Sequence, residues 1–431
     1  MAKTLFYFST ILIITVLLFA GRVSAYETGN GFLCVDGSGS VSLAADFQAA
    51  LDAVSSAYTD VRLISGNFLM PSLPTGHFGI TVGYSLTISG GWNEGCSSKN
   101  TRRPDLTILT GGTKQTVQGG VLAITVEDNS LAAVAVSNLT IKNGRSGESG
   151  GGFSFLHTNT LGITALRVTL NLSDIITENN ATDGSGSGIY IADNNTDGGT
   201  IVNISACQVL DNSSLDNGGG VYIQTGLGDI TLVNNIFAGN TVANGNGGGA
   251  FISGGGGANI TLTNNTITAN TAENNNGGGI FLTLTDGSSQ LNIYNNIIYN
   301  NNNVAGGSGE DLYIENPNGN TVNIYNTDFN SVENAGFYIS NNTKLNNIDN
   351  INANPEFEDV GNNNFHLKDS SPAINAGNNS ALHLPDYDID GSERVQDGTV
   401  DMGAYESTTS STVIGGEGCF IATAADGNTG R

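Results

Sequence analysis

The chain has 431 residues, with 14 Lys and Arg against 39 Asp and Glu, a formal net charge of −25. A chain this acidic repels nucleic acid and anionic membrane surfaces, which excludes both as expected partners. Gly (60) and Asn (56) dominate while Pro is only 7, which argues against a disordered linker and for many tight turns between short strands.

The first 25 residues read as a secretory signal peptide. Lys3 starts a charged end, Leu5 to Ala20 is mostly apolar, and Val23-Ser24-Ala25 is a small-residue cleavage site before Tyr26. The apolar run is shorter than the ~20 residues of a spanning helix, and no spanning helix is expected in the mature chain. Cleavage between Ala25 and Tyr26 removes Lys3 and Arg22 but no acid, so 12 basic residues face 39 acidic ones, net −27. The acids are dispersed, the pattern of a solvated surface rather than an acidic tail. Disulfides persist in exported chains, and of the four cysteines Cys34 and Cys96 are expected to pair. Cys207, inside a repeat, and Cys419, in the tail, read as single thiols. The spacings fit no zinc pattern.

Residues 26–60 form an N-terminal cap. Ser42 followed by LAADFQAALDAV carries apolar residues at 43, 47, 50, 51 and 54, the helical period behind an N-cap. This helix is expected to plug the open end of a stack of coils. The first coils begin at VRLIS (61–65), TVGYSLTISGGW (81–92) and LTILTGG (106–112).

From 61 to 345 the chain repeats itself. SGSGIYI (185–191), NGGGVYI (217–223), NGGGAFI (246–252) and NNGGGIFL (275–282) share one glycine corner and one short strand, and GEDLYI (309–314) is a fainter copy. The glycines before the strands, Gly152, Gly188, Gly220, Gly249 and Gly279, are 36, 32, 29 and 30 residues apart. Within each unit, strands such as IFLTLT, QLNIYN and NIIYNN alternate apolar and polar residues. Three short strands per unit, a period near 30 and no helical pattern predict an all-β fold: a right-handed parallel β-helix with an N-terminal capping helix. One unit cannot stand alone. Ordering about 30 backbones costs on the order of 30–60 kcal/mol, while five or six buried aliphatic side chains return roughly 1.5–3 kcal/mol each. Stacking closes that gap.

Two columns accompany the repeat. Asp174/Asn179, Cys207/Asn212, Asn235/Asn240, Asn265/Asn270 and Asn296/Asn301 stand five apart in successive units, predicting vertical amide ladders. At the second residue of each first strand stand Tyr190, Tyr222, Phe251, Phe281, Tyr313 and Tyr338. Their neighbours point inward, so these aromatics point outward as a stripe. It reads either as a self-stacking ladder or as a platform for flat sugar faces or a partner protein.

Enzyme chemistry has little to stand on. A polyuronate lyase needs a base beside the α-proton, usually with a cation. From 168 to 343 there are 15 acids and no Lys, Arg or His. Asn-Thr-Asp occurs at 195–197 and 326–328, yet it is a common turn sequence in so Asn-rich a chain. Lys142, Arg145, His157 and Arg167 cluster in sequence on the early coils without matching a mechanism. Calcium has two candidate signals. GGSGEDLYI (306–314) matches a nonapeptide that binds only in consecutive copies. DYDIDGSERVQD (386–397) places Asp386, Asp388, Asp390 and Asp397 at positions 1, 3, 5 and 12 of a calcium loop with Gly391 at 6. The alternative is that Asp390 pairs with Arg394 to brace the C-terminal segment.

SLTISGGWNEGCSSKNTRRPDLTILTGG (85–112) and VAVSNLTIKNG (134–144) resemble the N-terminal coils of a bacterial family of exported right-handed parallel β-helix proteins. The GGGIFL-type corners and FAGN (237–240) are similar to repeats of polymorphic outer-membrane proteins. SPAINAGNNS (371–380) with DIDGSERVQDGTVDMGAYE (388–406) resembles the closing module called choice-of-anchor Q, giving 346–406 as that module. GCFIATAA (418–425), within a linker and tail at 407–431, resembles the CFI box of bacterial C-termini and implies a sorting or processing role for Cys419. Taken with the missing enzyme chemistry, the expectation is a monomeric, non-enzymatic, secreted or cell-surface protein, adhesive or structural, with a glycan or protein as partner. The competing expectation is a polysaccharide lyase or glycoside hydrolase with a groove near the early basic residues.

Overall fold

A computed structural model describes residues 27–28, 31–36, 42–70, 77–112, 120–127, 132–158, 167–193, 199–340 and 343–407. The Ala25–Tyr26 cleavage site, the Asn-Thr-Asp at 195–197, Cys419 and the CFI-like stretch lie outside these residues.

The coils stack in parallel and build an all-β, right-handed parallel β-helix. One sheet has 9 strands, from Phe78–Val82 at the N-terminal end to Phe337–Ile339 at the other. A second has 19 strands and carries both the second and third strands of each coil, such as Gln290–Tyr294 and Ile297–Tyr299. The register follows the glycine period: Ile189 pairs with Val221, Val221 with Ala250, Ala250 with Ile280 and Ile280 with Leu312. Six successive coils also have a fourth, two-residue strand that the sequence pattern does not announce. Ala181–Thr182, Ser213–Ser214, Thr241–Val242, Thr271–Ala272 and Asn302–Asn303 belong to a 6-stranded sheet at the corner before the glycines. Two residues are too short to show an alternation.

Inward side chains such as Phe155, Ile191, Ile223, Ile252, Leu282 and Ile314 are fully buried and form one core along the column. Glycine is required at the corner because successive coils touch there. A Cβ on Gly249 would lie 2.7 Å from the carbonyl oxygen of Gly279 and 3.0 Å from the Asn270 amide. The helix Leu43–Ala53 covers the N-terminal end. Ser42 Oγ accepts from the Ala45 N–H at 3.2 Å, and Phe47 enters the core against Phe68 and Phe78. The Cys34–Cys96 disulfide ties this cap to the first coils.

The last rung runs through Lys344–Ile348 and Ile351. The chain then turns back along the side of the column instead of covering its end. Phe357, Phe365, Leu367, Ala373, Met402 and Ala404 pack on Leu210, Ile236, Ala238 and Ile297 to make a second core. The third strands are therefore buried on both faces, Phe237 and Ile298 inward and Ile236 and Ile297 under this strap.

Candidate functional site

Corners of the coils position the polar groups. At the turn between second and third strands, Asn234, Asn264, Asn295 and Asn326 adopt left-handed backbone, φ +57, +54, +56 and +47. Their short amides tolerate this conformation, and all four reach out to the strap. Asn326 Nδ2 donates to the Ala376 carbonyl (3.1 Å) and Asn295 Nδ2 to that of Asn378 (3.2 Å). Asn264 Nδ2 donates to Asp401 O (2.9 Å) and Asn234 Nδ2 to Tyr387 O (2.6 Å). Farther down, Arg102 Nη1 donates to Asp388 O at 3.2 Å. The strap thus descends the column from the coil of Asn326 to the insertion carrying Arg102.

The residue after each of these asparagines points inward. Asn235, Asn265 and Asn296 form one ladder, in which each Nδ2 donates to the next Oδ1 at 2.9 Å. Asn180, Asn212, Asn240, Asn270 and Asn301 form the other, with Nδ2 to Oδ1 distances of 2.9–3.0 Å. The lowest members expected from the sequence need correction. Register places Ile175 and Asn180 in the two columns, not Asp174 and Asn179. The latter two are the left-handed residues one position earlier, φ +52 and +55. Cys207 fills one rung as a fully buried thiol that burial pushes up to about 12, far from a reactive thiolate.

Tyr190, Tyr222, Phe251, Phe281, Tyr313 and Tyr338 stack into one continuous column. Successive ring centroids are 5.1, 5.2, 5.3, 4.7 and 4.2 Å apart, with planes within 13° of parallel. The flanking loop lies against the rings, and Gly277 at φ +68 allows it: a Cβ there would sit 3.0 Å from that of Phe281. Phe281 is buried, 5 % exposed, and the other five are partly exposed. Burial among neighbouring rings pushes the Tyr222 and Tyr313 phenols up to about 12. The rings spend their faces on one another, so their edges and hydroxyls line the surface. Below Tyr190 the column continues as Ser154, Ala123 and Gly79 and loses its aromatic character. A second, two-ring stack, Tyr294 on Tyr325 at 5.2 Å, lies at the ends of the second strands.

The calcium-loop expectation is corrected. Asp388 accepts from the backbone N–H groups of Ser392 (2.7 Å) and Glu406 (3.0 Å). Asp390 turns away to His366, 2.8 Å from Nε2, and Asp386 offers its backbone oxygen to the Arg394 N–H at 2.9 Å. The four aspartates, Asp397 among them, do not converge, and among the described residues no group of three or more His, Cys, Asp or Glu side chains is placed to hold a metal ion. The expected Asp390–Arg394 pair is also absent. Arg394 is 1 % exposed, its Nη1 is 3.5 Å from Glu406 Oε2, and its Nη2 donates to Gly403 O and to Asn234 Oδ1. A buried guanidinium needs such partners, and they draw the loop into the strap's core instead of around a cation.

Early basic residues do not gather into a groove. Lys142 pairs with Glu178 at 3.2 Å on the outside, Arg145 and Arg167 are exposed, and His157 is inside the column, 3.0 Å from Thr200 Oγ1 and 3.5 Å from Asp193. Of the second Asn-Thr-Asp, Asn326 holds the strap, Thr327 closes one ladder and Asp328 is buried, its Oδ1 accepting from the Ala353 N–H. GGSGEDLYI proves to be a glycine corner in which Asp311 ends the other ladder. No helix among the described residues is long and apolar enough to cross a membrane. A scan against protein-family models and a search of the curated proteins found no match.

Proposed function

We propose that the protein is a non-enzymatic, exported β-helix rod that works outside the cell or at its surface as an adhesive or structural element. The six-ring column carries this reading: it repeats one surface feature rung after rung, which suits an extended contact and not a single reacting centre. With ring faces already occupied, a partner meets ring edges, tyrosine hydroxyls and the outer faces of the terminal rings Tyr190 and Tyr338. The Cys34–Cys96 disulfide supports an oxidising compartment. In this reading the strap is the choice-of-anchor Q-like module, the coils are the polymorphic-protein-like repeats, and the CFI-like stretch with Cys419 directs sorting.

Fractionating cells that express the intact and Cys419→Ala chains tests the placement. The intact chain is expected in the surface or secreted fraction, and a cytoplasmic location for it contradicts the proposal. Purified protein incubated with neutral and acidic polysaccharides is expected to release no product; release would replace this reading with a carbohydrate-active enzyme.

A further inference from the structure

Two hollows of about 560 and 260 Å3 adjoin where the strap leaves the last coils, and both are lined by Tyr299 and Asn300. Tyr299 occupies the outward third-strand column that reads Leu210, Ala238 and Thr268 in the coils before it. Those coils fill the column with small or aliphatic groups under the strap, whereas here a partly exposed ring packs against the edge of the second core. Unlike the ladder aromatics, this ring stacks on no other ring among the described residues, and it lines both hollows.

The polar groups around the ring are unusual for this chain. Most amides near these rungs are bonded to neighbouring coils, yet the side chains of Asn300 and Asn352 make no hydrogen bond among the described residues. In the larger hollow Lys368 forms no ion pair among the described residues, and Asn354 and Glu356 share the lining. Glu310 closes the smaller one. Free amide donors and acceptors beside an aromatic face match vicinal hydroxyls above a ring of C–H groups. With Glu310, Asp311 and Glu356 against one Lys368, the lining is net acidic and disfavours an anionic sugar.

We propose that this cleft binds a short neutral oligosaccharide, with Tyr299 as its floor and Asn300 and Asn352 reading hydroxyl groups. The proposal supplies a ligand for the adhesive reading and rests on it for biological sense only. Binding by purified protein and localisation in cells succeed or fail separately.

Calorimetric titration of the full chain with cellohexaose, chitohexaose and xylohexaose, with oligogalacturonate as the anionic comparison, tests it. At least one neutral hexasaccharide is expected to bind, and Tyr299→Ala to weaken it roughly tenfold, the size of one lost aromatic contact. Asn352→Ala, at an exposed position whose side chain makes no hydrogen bond among the described residues, is expected to weaken binding as well, while Leu69→Ala, an exposed residue at the N-terminal end of the column, leaves it unchanged. The proposal is overturned if no neutral sugar binds at millimolar concentration, if oligogalacturonate binds as well as the best of them, or if binding survives both cleft substitutions.

Discussion

Asn301 donates both its backbone N–H (3.1 Å) and its Nδ2 (2.9 Å) to one oxygen of Asp311, which closes the longer asparagine ladder with a carboxylate. The other oxygen accepts from the Asn330 N–H at 2.9 Å. Three donors thus converge on a side chain that is 2 % exposed. An amide offers an acceptor on one side only, so Asp311→Asn puts a donor against a donor. The expected cost is about 1–3 kcal/mol, read as a lower denaturant midpoint with unchanged slope. An Asp311→Asn chain as stable as the parent would show that the ladder needs no terminal acid.

Mid-ladder, Asn270 is held from both sides. Its Oδ1 accepts from the Asn240 N–H and Nδ2, and its Nδ2 donates to Phe237 O (2.8 Å) and Asn301 Oδ1 (2.9 Å). Asn270→Ala leaves several buried groups unmatched and is expected to cost about 2–4 kcal/mol, more than any substitution of the exposed Asn300. Chemical denaturation of the two variants side by side checks the order.

Several buried carboxyls set the response to pH. Burial holds Asp311 up to about 6 and Asp328 and Glu406 up to about 7. The unfolded chain releases these protons near pH 4, so between about 4 and 7 the folded state binds more protons than the unfolded one. Stability therefore falls as pH rises through that window. Asp286, partly exposed, is pushed up by burial but held down to about 2 by hydrogen bonds from Ser289, Ser288 and Gly257, and adds an opposite slope only below pH 4. Thermal melts are expected to give a higher Tm at pH 5 than at pH 7.5, with Asp328→Asn flattening part of the difference. A Tm that climbs from pH 5 to 7.5 contradicts the assignment.

Removing Arg394 takes away the guanidinium 3.5 Å from buried Glu406 and leaves its carboxyl only the backbone N–H groups of Gln396 and Asp401, and breaking such a pair costs about 3–5 kcal/mol. The loss falls first on the strap, whose own core is separate from the column's. Limited proteolysis of Arg394→Leu is expected to cut within 376–400 well before the coils, and the tyrosine ellipticity of the ring stack is expected to persist. Simultaneous loss of both would mean that strap and column unfold as one unit.

The period, the corner glycines and the ring column were legible because each is a repeated demand of stacking, one residue type returning wherever neighbouring coils touch, and the capping helix because its apolar residues keep the helical period behind Ser42. The strap was not. Its docking groups, Asn234, Asn264 and Asn295, stand directly before ladder asparagines, and a reading that used one member of each Asn-Asn pair left the outward one without a role. The same overlap misplaced the lowest rung by one residue, since Asn179 and Asn180 look alike in sequence and differ only in backbone conformation. A clue was present in Ile236-Phe237-Ala238 and Ile297-Ile298, apolar on both alternations, which marks a strand covered on both faces. The calcium loop failed for the reverse reason. Its spacing presumes a loop curled around an ion, and no sequence pattern reveals that Arg394 will be buried beside Glu406 and pull the segment inward. The Tyr299 cleft was invisible too, because strap and coil meet there from distant parts of the chain.

The stacking itself is measurable as a length. Thr87, Ala135, Asn171, Asn203, Thr231, Thr261, Asn292, Asn323 and Asn346 lie in one vertical file, so eight rungs separate its ends. Thr87 and Asn346 are both exposed and accept spin labels in a Cys207→Ser, Cys419→Ser background. At about 4.8 Å per rung the column predicts a single electron–electron distance near 38 Å. A distance below about 25 Å, or a broad spread with no maximum near 38 Å, would contradict continuous stacking of the coils.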